Sequence, residues 1–331
     1  MAVMKTFYNG DTDPSLILAR RVAVIGFGAQ GRAHALNLRD SGVDVVVGLR
    51  EASPSRAECE GLGLTVATPA QAASRCDVVM VLVPDETQPA VYADCLDGNM
   101  SEGSALLFAH GYNIHFDRIT PRADIDVLMV APLGIGDQVR ATYEKDGGVP
   151  ALLAIQQDAT SGARALGLSY AWANGHGRAG IIETNFRDET ETDLFAEQVV
   201  LCGGLTHLIE AAYETLVDAG YPAELAYFSC LHEVKLIADM IHTRGIAGMR
   251  RSISSTAEFG DYTRGPRVIN ESSRREMKAL LEEIQDGRFA EQLDEEARQG
   301  FPTLSQGRER AENHGIEEVG ARLRSMMPWL K

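Results

Sequence analysis

The sequence predicts a doubly wound α/β domain followed by an all-helical domain. Two observations carry the first half: short β-branched apolar runs alternate with helical patterns, and a G-x-G-x-x-G string stands where the first of those runs ends. A third carries the second half: beyond about residue 182 strand signals fade and long helical stretches take over. The expected domains are therefore 1–182 and 183–331.

Taken in order, residues 22–26, VAVIG, have the apolar, β-branched character of a buried parallel strand. A helical pattern follows through Ala33, Leu36 and Leu38 and ends near Ser41-Gly42. Residues 43–47 form the next strand, closing on Gly48-Leu49-Arg50, and 77–83, DVVMVLV, a third that runs into Pro84-Asp85. Residues 106–109 and 127–130 are two more, leading into His110-Gly111 and Pro132-Leu133-Gly134. A further strand, 151–155, is expected at one edge of the sheet. Helices are expected over 189–219, 222–243, 271–286 and 307–326. The second is apolar nearly all round, which predicts burial in a bundle or a subunit interface.

Composition narrows the function. With 31 Lys+Arg against 47 Asp+Glu, the 331-residue chain carries a formal net charge of −16. Nucleic acid and anionic membrane both demand a basic surface, so neither is expected as a partner. No stretch reads as the roughly 20 apolar residues that span a bilayer. Asp11, Asp13 and Pro14 stand where a signal peptide would need an apolar run. Cys59, Cys76, Cys95, Cys202 and Cys230 show no C-x-x-C pairing, which argues against a zinc cage or a disulfide framework. A reducing, cytoplasmic setting is the expectation.

Gly26-Phe27-Gly28-Ala29-Gln30-Gly31 is the strongest signal of chemistry. Gly26 permits a tight turn, Gly28 lets a pyrophosphate approach the backbone, and Gly31 lets the helix pack against the sheet. Free N–H groups at the helix start then meet the anion. An NAD site usually places an acid at the end of the second strand. Here that strand ends in Arg50, followed by Glu51, Ser53, Ser55 and Arg56. A guanidinium and two hydroxyls suit a 2′-phosphate, so NADPH is expected, with NADH left open by Glu51.

In the helical half, Asp193 and Glu197 are four apart and share a helix face. The helix runs on into apolar VVLCGGL, so that face is expected to point inward. Buried carboxylates would need a metal, another cation or protonation. Glu233, on the apolar helix, raises the same question; His232-Glu233 is no zinc motif, because Leu236 stands where the second histidine would be.

RVAVIGFGAQG from Arg21, HALNLRDSGVDVVVGLR up to Arg50, VPDETQ at 83–88, FAHGYNIHF at 108–116 and ETETDLFAEQVVLCGGL at 189–205 resemble ketol-acid reductoisomerase in its short, class I form. So do AGYPAELAYF at 219–228, SISSTAEFGDYTRGPRV at 252–268 and the terminal MMPWLK. The resemblance implies a Rossmann-type N-terminal domain, a knotted helical C-terminal domain, and a homodimer with shared active sites. It implies reduction and rearrangement of acetohydroxy acids with NADPH and two magnesium ions.

By position the resemblance assigns Gly26, Phe27, Gly28, Ala29, Gln30, Gly31, Arg50, Ser53, Ser55, Pro84, Asp85 and His110 to the cofactor. His110 is also the active-site histidine; Asp193, Glu197 and Glu233 are the metal and catalytic carboxylates; Ser254 is a substrate contact.

Three departures stand against it. Leu133 replaces the family's lysine in Ala131-Pro132-Leu133-Gly134-Ile135-Gly136, Ser229 replaces a metal-binding glutamate, and Arg251 replaces a common aromatic residue. Leu133, Ser229, Arg251 and Ser254 are thus the expected substrate lining. Alkyl migration needs two cations as Lewis acids and templates, so isomerisation is expected to be lost and magnesium occupancy weakened. Hydride transfer needs less. A protonated imine is a cation and is electrophilic without metal help, which favours C=N reduction over C=O reduction. An intact reductoisomerase and a non-catalytic NADP-binding regulator are the other readings. His110, Asp137 or a water could move protons, while His115 and His207 are read as structural or exposed.

Overall fold

The computed structural model describes residues 4–330. The chain divides into two compact units, Met1–Thr192 and Asp193–Lys331.

In the first unit the strands among the described residues are β1 Thr6–Phe7, β2 Arg21–Ile25, β3 Asp44–Gly48, β4 Thr65–Ala67, β5 Val78–Val81, β6 Ala105–Phe108, β7 Asp126–Pro132, β8 Ala151–Gln157 and β9 Ile181–Glu183. They form one sheet in the order β1-β9-β8-β7-β6-β5-β2-β3-β4. From β4 through β7 every neighbouring pair is parallel, whereas β8 runs antiparallel to β7. Alternation along each strand feeds two cores: Val22 and Val24 pack on one face, Ala23 and Ile25 on the other. Burial on both faces explains why these strands read as unbroken apolar runs. The strand order reverses between β2 and β5, so the carboxyl ends of β2, β5, β6 and β7 open onto one crevice edge.

One strand expectation is corrected. Residues 151–155 do not lie at an edge, because β8 sits between β7 and β9. The true edges are the two-residue β1 and the three-residue β4, too short to leave a periodic signal.

The second unit is helical. Its helices include Gly203–Asp218, Val234–Arg250, Ser255–Val268, Glu271–Gln285, Arg288–Arg298, Pro302–Glu312 and Gly315–Ser325. The helix expected over 307–326 is two helices, broken where His314 caps the second by accepting from Ile316 N at 3.1 Å. The stretch 222–243 is also broken, into Ala223–Tyr227, a wide π turn at Phe228–His232, and Val234–Arg250, which kinks again at Gly245 (φ 68°). Within the single chain Ala226 and Tyr227 pack against Tyr213, Ile316 and Leu323, while Leu225, Leu236 and Ile241 are exposed.

A second expectation also changes. By length and composition alone, Phe186–Asp218 is long and apolar enough to cross a membrane, though only 6% of its most apolar window is buried. Its opening turns carry Asp188, Glu189, Glu191 and Asp193, which hydrocarbon penalises.

Candidate functional site

The glycine turn after β2 is built as its spacing requires. Gly26 has φ +103°, and a Cβ there would lie 2.6 Å from Leu82 O. A Cβ on Gly31 would lie 2.4 Å from Gly26 O. A Cβ on Gly28 would meet nothing within 4 Å, so the open space over the N-terminus of helix Ala29–Asp40 is where a bound phosphate fits. Phe27 is buried beneath, and Ala29 is exposed. Gln30 reaches sideways: its Nε2 donates to Gly134 O at 2.8 Å, while Oε1 is buried with no hydrogen-bond partner. The turn after β7 lies directly on this one, since a Cβ on Gly136 would fall 2.2 Å from the carbonyl carbon of Ala29. A dinucleotide fits these residues, with a backbone cradle that a side chain would fill and an orphaned amide oxygen beside it.

At the end of β3, Arg50 is exposed and Ser53 and Ser55 are half-buried. Ser53 N donates to Arg50 O at 3.0 Å, and Arg56 Nη1 donates to Leu49 O at 3.0 Å, so Arg56 braces the loop. After β5, Pro84 is exposed and Asp85 accepts from Gln88 Nε2 at 3.0 Å. Asn113 Nδ2 donates to Asp85 O and to Gln88 Oε1, each at 3.0 Å, tying the loops after β5 and β6 together.

His110 follows β6 and is half-buried. Its Nδ1 lies 3.0 Å from Glu189 Oε1, and Gly111 N donates to Glu189 Oε2 at 2.8 Å. Glu189 is only 4% exposed. A carboxylate only accepts, so the proton on this edge belongs to His110 Nδ1. Gly111 has to be glycine here, because a Cβ would lie 2.4 Å from Thr190 Oγ1. Glu189 is a site residue beyond those expected from the sequence, although 189, 193 and 197 form one helical stripe that points to it.

Leu133 is 51% exposed although its backbone is fixed, with Leu133 N donating to Pro150 O at 2.8 Å. Asp137 is exposed in the first turn of helix Gly136–Tyr143. His115 Nε2 lies 3.5 Å from Glu191 Oε1, and burial pushes the imidazole below its ordinary value. Glu191 also takes Arg187 Nε at 2.9 Å. His207 is exposed beside Glu210.

In the second unit, Asp193 is half-buried but Glu197 is exposed, so the expected inward-facing pair is only partly found. At Glu197–Leu201 the helix widens to a π turn, Cys202 N donating to Glu197 O at 2.9 Å, which rotates the face that follows Glu197. The same device recurs at Phe228–His232, where Glu233 N donates to Phe228 O at 3.1 Å. Ser229 lies in that turn and Glu233 closes it; both are exposed in the single chain. Ser254 caps helix Ser255–Val268, its Oγ accepting from Ala257 N at 3.2 Å, and Arg251 is exposed nearby in sequence. Widened turns of this kind concentrate at functional sites.

Comparison with known proteins agrees with this geometry. Residues 16–180 match the family described as acetohydroxy acid isomeroreductase, NADPH-binding domain, and residues 186–329 match ketol-acid reductoisomerase, C-terminal domain. The structure of an NADH-preferring ketol-acid reductoisomerase from an uncultured archean is similar at 41% identity and a TM-score of 0.96, covering 98% of this chain and 99% of that one. A semialdehyde dehydrogenase NAD-binding protein from Cupriavidus necator shares the fold at 19% identity and TM-score 0.62, over 81% of this chain and 98% of that one. A pyrroline carboxylate reductase from Plasmodium falciparum does so at 16% identity and TM-score 0.52, over 82% and 98%. Matched over both halves and by a full-length relative, this chain belongs to the ketol-acid reductoisomerase family and is an NAD(P)H-dependent oxidoreductase.

Proposed function

We propose that this chain is a reductase in which the family's isomerisation step is lost, and that it reduces the C=N bond of a small cyclic imine with NADPH. The observation that carries the proposal is Leu133: an exposed alkyl side chain leaves the turn after β7, on the crevice edge shared with His110, where the resemblance implies an ammonium group. Ser229 adds to it, a neutral hydroxyl in place of a carboxylate. Asp193 and Glu197, with Glu233 that the resemblance draws from a partner subunit, are hard oxygen donors of the kind magnesium takes, and Ser229 in place of a fourth carboxylate leaves a weaker set for the two ions that alkyl migration requires. Carboxylates left short of a metal favour a cationic substrate over a neutral ketone.

When bound, NADPH would supply the hydride that reduces the imine carbon. His110 Nε2 delivers the proton that makes the imine an iminium. Glu189 holds Nδ1–H throughout, so the ring gains and loses its proton at one atom. Gly111 N fixes the other carboxylate oxygen and with it the plane of the pair. Imine, proton and hydride together give the secondary amine.

The archaeal relative prefers NADH. Arg50, Ser53 and Ser55 favour a 2′-phosphate here, so the expected kcat/KM ratio for NADPH over NADH is above unity, and a ratio below unity overturns that choice. A homodimer is proposed as the working form. Val200, Leu201, Leu205 and Leu208 are exposed along Phe186–Asp218, and a second copy is the proposed cover. Sedimentation at the monomer mass contradicts it. The catalytic proposal is tested by following NADPH oxidation with 1-pyrroline and with a matched 2-ketone: imine turnover exceeding ketone turnover supports it, and the reverse order overturns it.

A further inference from the structure

We infer that Leu133 and Ile135 form an apolar specificity clamp that selects substrates bearing an alkyl substituent, an inference that rests on the reductase reading above. The turn that carries them is held from both sides. Leu133 N continues the β7–β8 ladder to Pro150 O at 2.8 Å, Gly134 O accepts from Gln30 Nε2 at 2.8 Å, and Gly136 lies backbone to backbone on Ala29. A Cβ on Gly134 would already press on Val149 Cγ1 at 3.1 Å. The backbone is therefore fixed relative to the dinucleotide turn. Its two branched side chains nonetheless project outward, Leu133 51% and Ile135 71% exposed.

The fold does not use these side chains, since neither belongs to the cores of the sheet. Their position says what does. β6 and β7 are adjacent and parallel, so His110 and Leu133 leave the same sheet edge on neighbouring strands. On that shared edge a small substrate bound at His110 would meet the aliphatic Leu133 side chain. A carboxylate or hydroxyl placed there would lose water without gaining a partner, whereas an alkyl group would bury apolar surface. Gln30 links the cofactor turn to this loop.

The test is binding, read by calorimetry on NADP⁺-saturated protein with pyrrolidine and 2-isopropylpyrrolidine as probes. Each buried methylene is worth about fourfold in affinity, so a half-covered isopropyl group is expected to favour the substituted ring by roughly tenfold. Leu133→Asn and Ile135→Asn should each cut that preference about threefold, and the double variant should bring it close to unity. Equal affinity for the two rings, failure of both to bind, or a preference that survives the double variant overturns the clamp. Absence of imine turnover alongside a Leu133-dependent binding preference would instead overturn the imine reading and leave the clamp standing.

Discussion

Replacing Glu189 by glutamine changes one atom and should disable proton delivery. In the native protein both carboxylate oxygens accept, one from His110 Nδ1 at 3.0 Å and the other from Gly111 N at 2.8 Å. Gly111 N–H cannot rotate, so in Glu189→Gln the amide oxygen stays with it and the amide NH₂ turns to His110. Two donors would then oppose each other, and the imidazole must move its proton to Nε2 and accept at Nδ1. The ring can still hydrogen-bond, but it can no longer carry both protons beside a carboxylate. General acid–base catalysis by a positioned side chain is worth about 10²–10⁴-fold, and tautomer inversion of this kind sits toward the upper end. We expect kcat for imine reduction to fall by roughly 10³-fold with KM for NADPH unchanged. Stability should fall by only about 1–3 kcal/mol, the cost of one charge-assisted hydrogen bond in a buried site. Stopped-flow NADPH oxidation under saturating substrate, with urea unfolding of the same sample, separates the two. A kcat within threefold of wild type would show that the His110–Glu189 pair is not the proton source.

Gly136→Ala puts a methyl 2.2 Å from the Ala29 carbonyl carbon, backbone against backbone, so the two turns must separate. We expect about 1–3 kcal/mol of destabilisation and at least a tenfold weaker NADPH Kd by fluorescence titration; an unchanged Kd would mean the contact does not shape the cofactor turn. Acid should destabilise the first unit early. Burial holds His34 down at about 3 and His176 down at about 4, against 6.5 in the unfolded chain, and the Nε2 atom of each is buried without a partner. Between pH 6 and 4 the unfolded state therefore binds the extra protons, and stability present above 6.5 is lost as pH falls, at up to roughly 3 kcal/mol per pH unit for the pair. A urea midpoint that stays flat from pH 7 to 4.5 contradicts this. Leu133→Lys combined with Ser229→Glu should raise dihydroxy-acid formation from 2-acetolactate by at least tenfold over wild type, measured by product chromatography; no gain would show that these two positions are not what separates the chain from isomerisation.

The parts of this molecule legible in its sequence are those where one physical requirement dominates. β2, β3, β5, β6 and β7 are buried on both faces, and burial leaves an unbroken apolar run. The turn at Gly26 and Gly31 is legible because no side chain fits there. The helical half was harder, because its apolar positions are not spent on its own core. Leu225, Leu236 and Ile246 are exposed in the single chain, so the apolar pattern of this helix does not say where it is covered. The π turns at Glu197 and Phe228 leave no trace in a pattern tuned to 3.6 residues per turn, yet the second decides where Ser229 and Glu233 stand. Glu189 lay hidden among neighbouring acids, since its partners Gly111 and His110 are 78 and 79 residues away in the chain.

Hydride transfer is proposed to survive in this chain while carbon migration does not. Wild-type protein incubated with NADPH, magnesium and 2-acetolactate tests it most directly, with the dihydroxy acid quantified by chromatography beside an imine reduction in the same preparation. The account predicts amine formed from the imine and no dihydroxy acid above a no-enzyme blank. Steady production of dihydroxy acid, at a rate matching or exceeding amine formation, would contradict it.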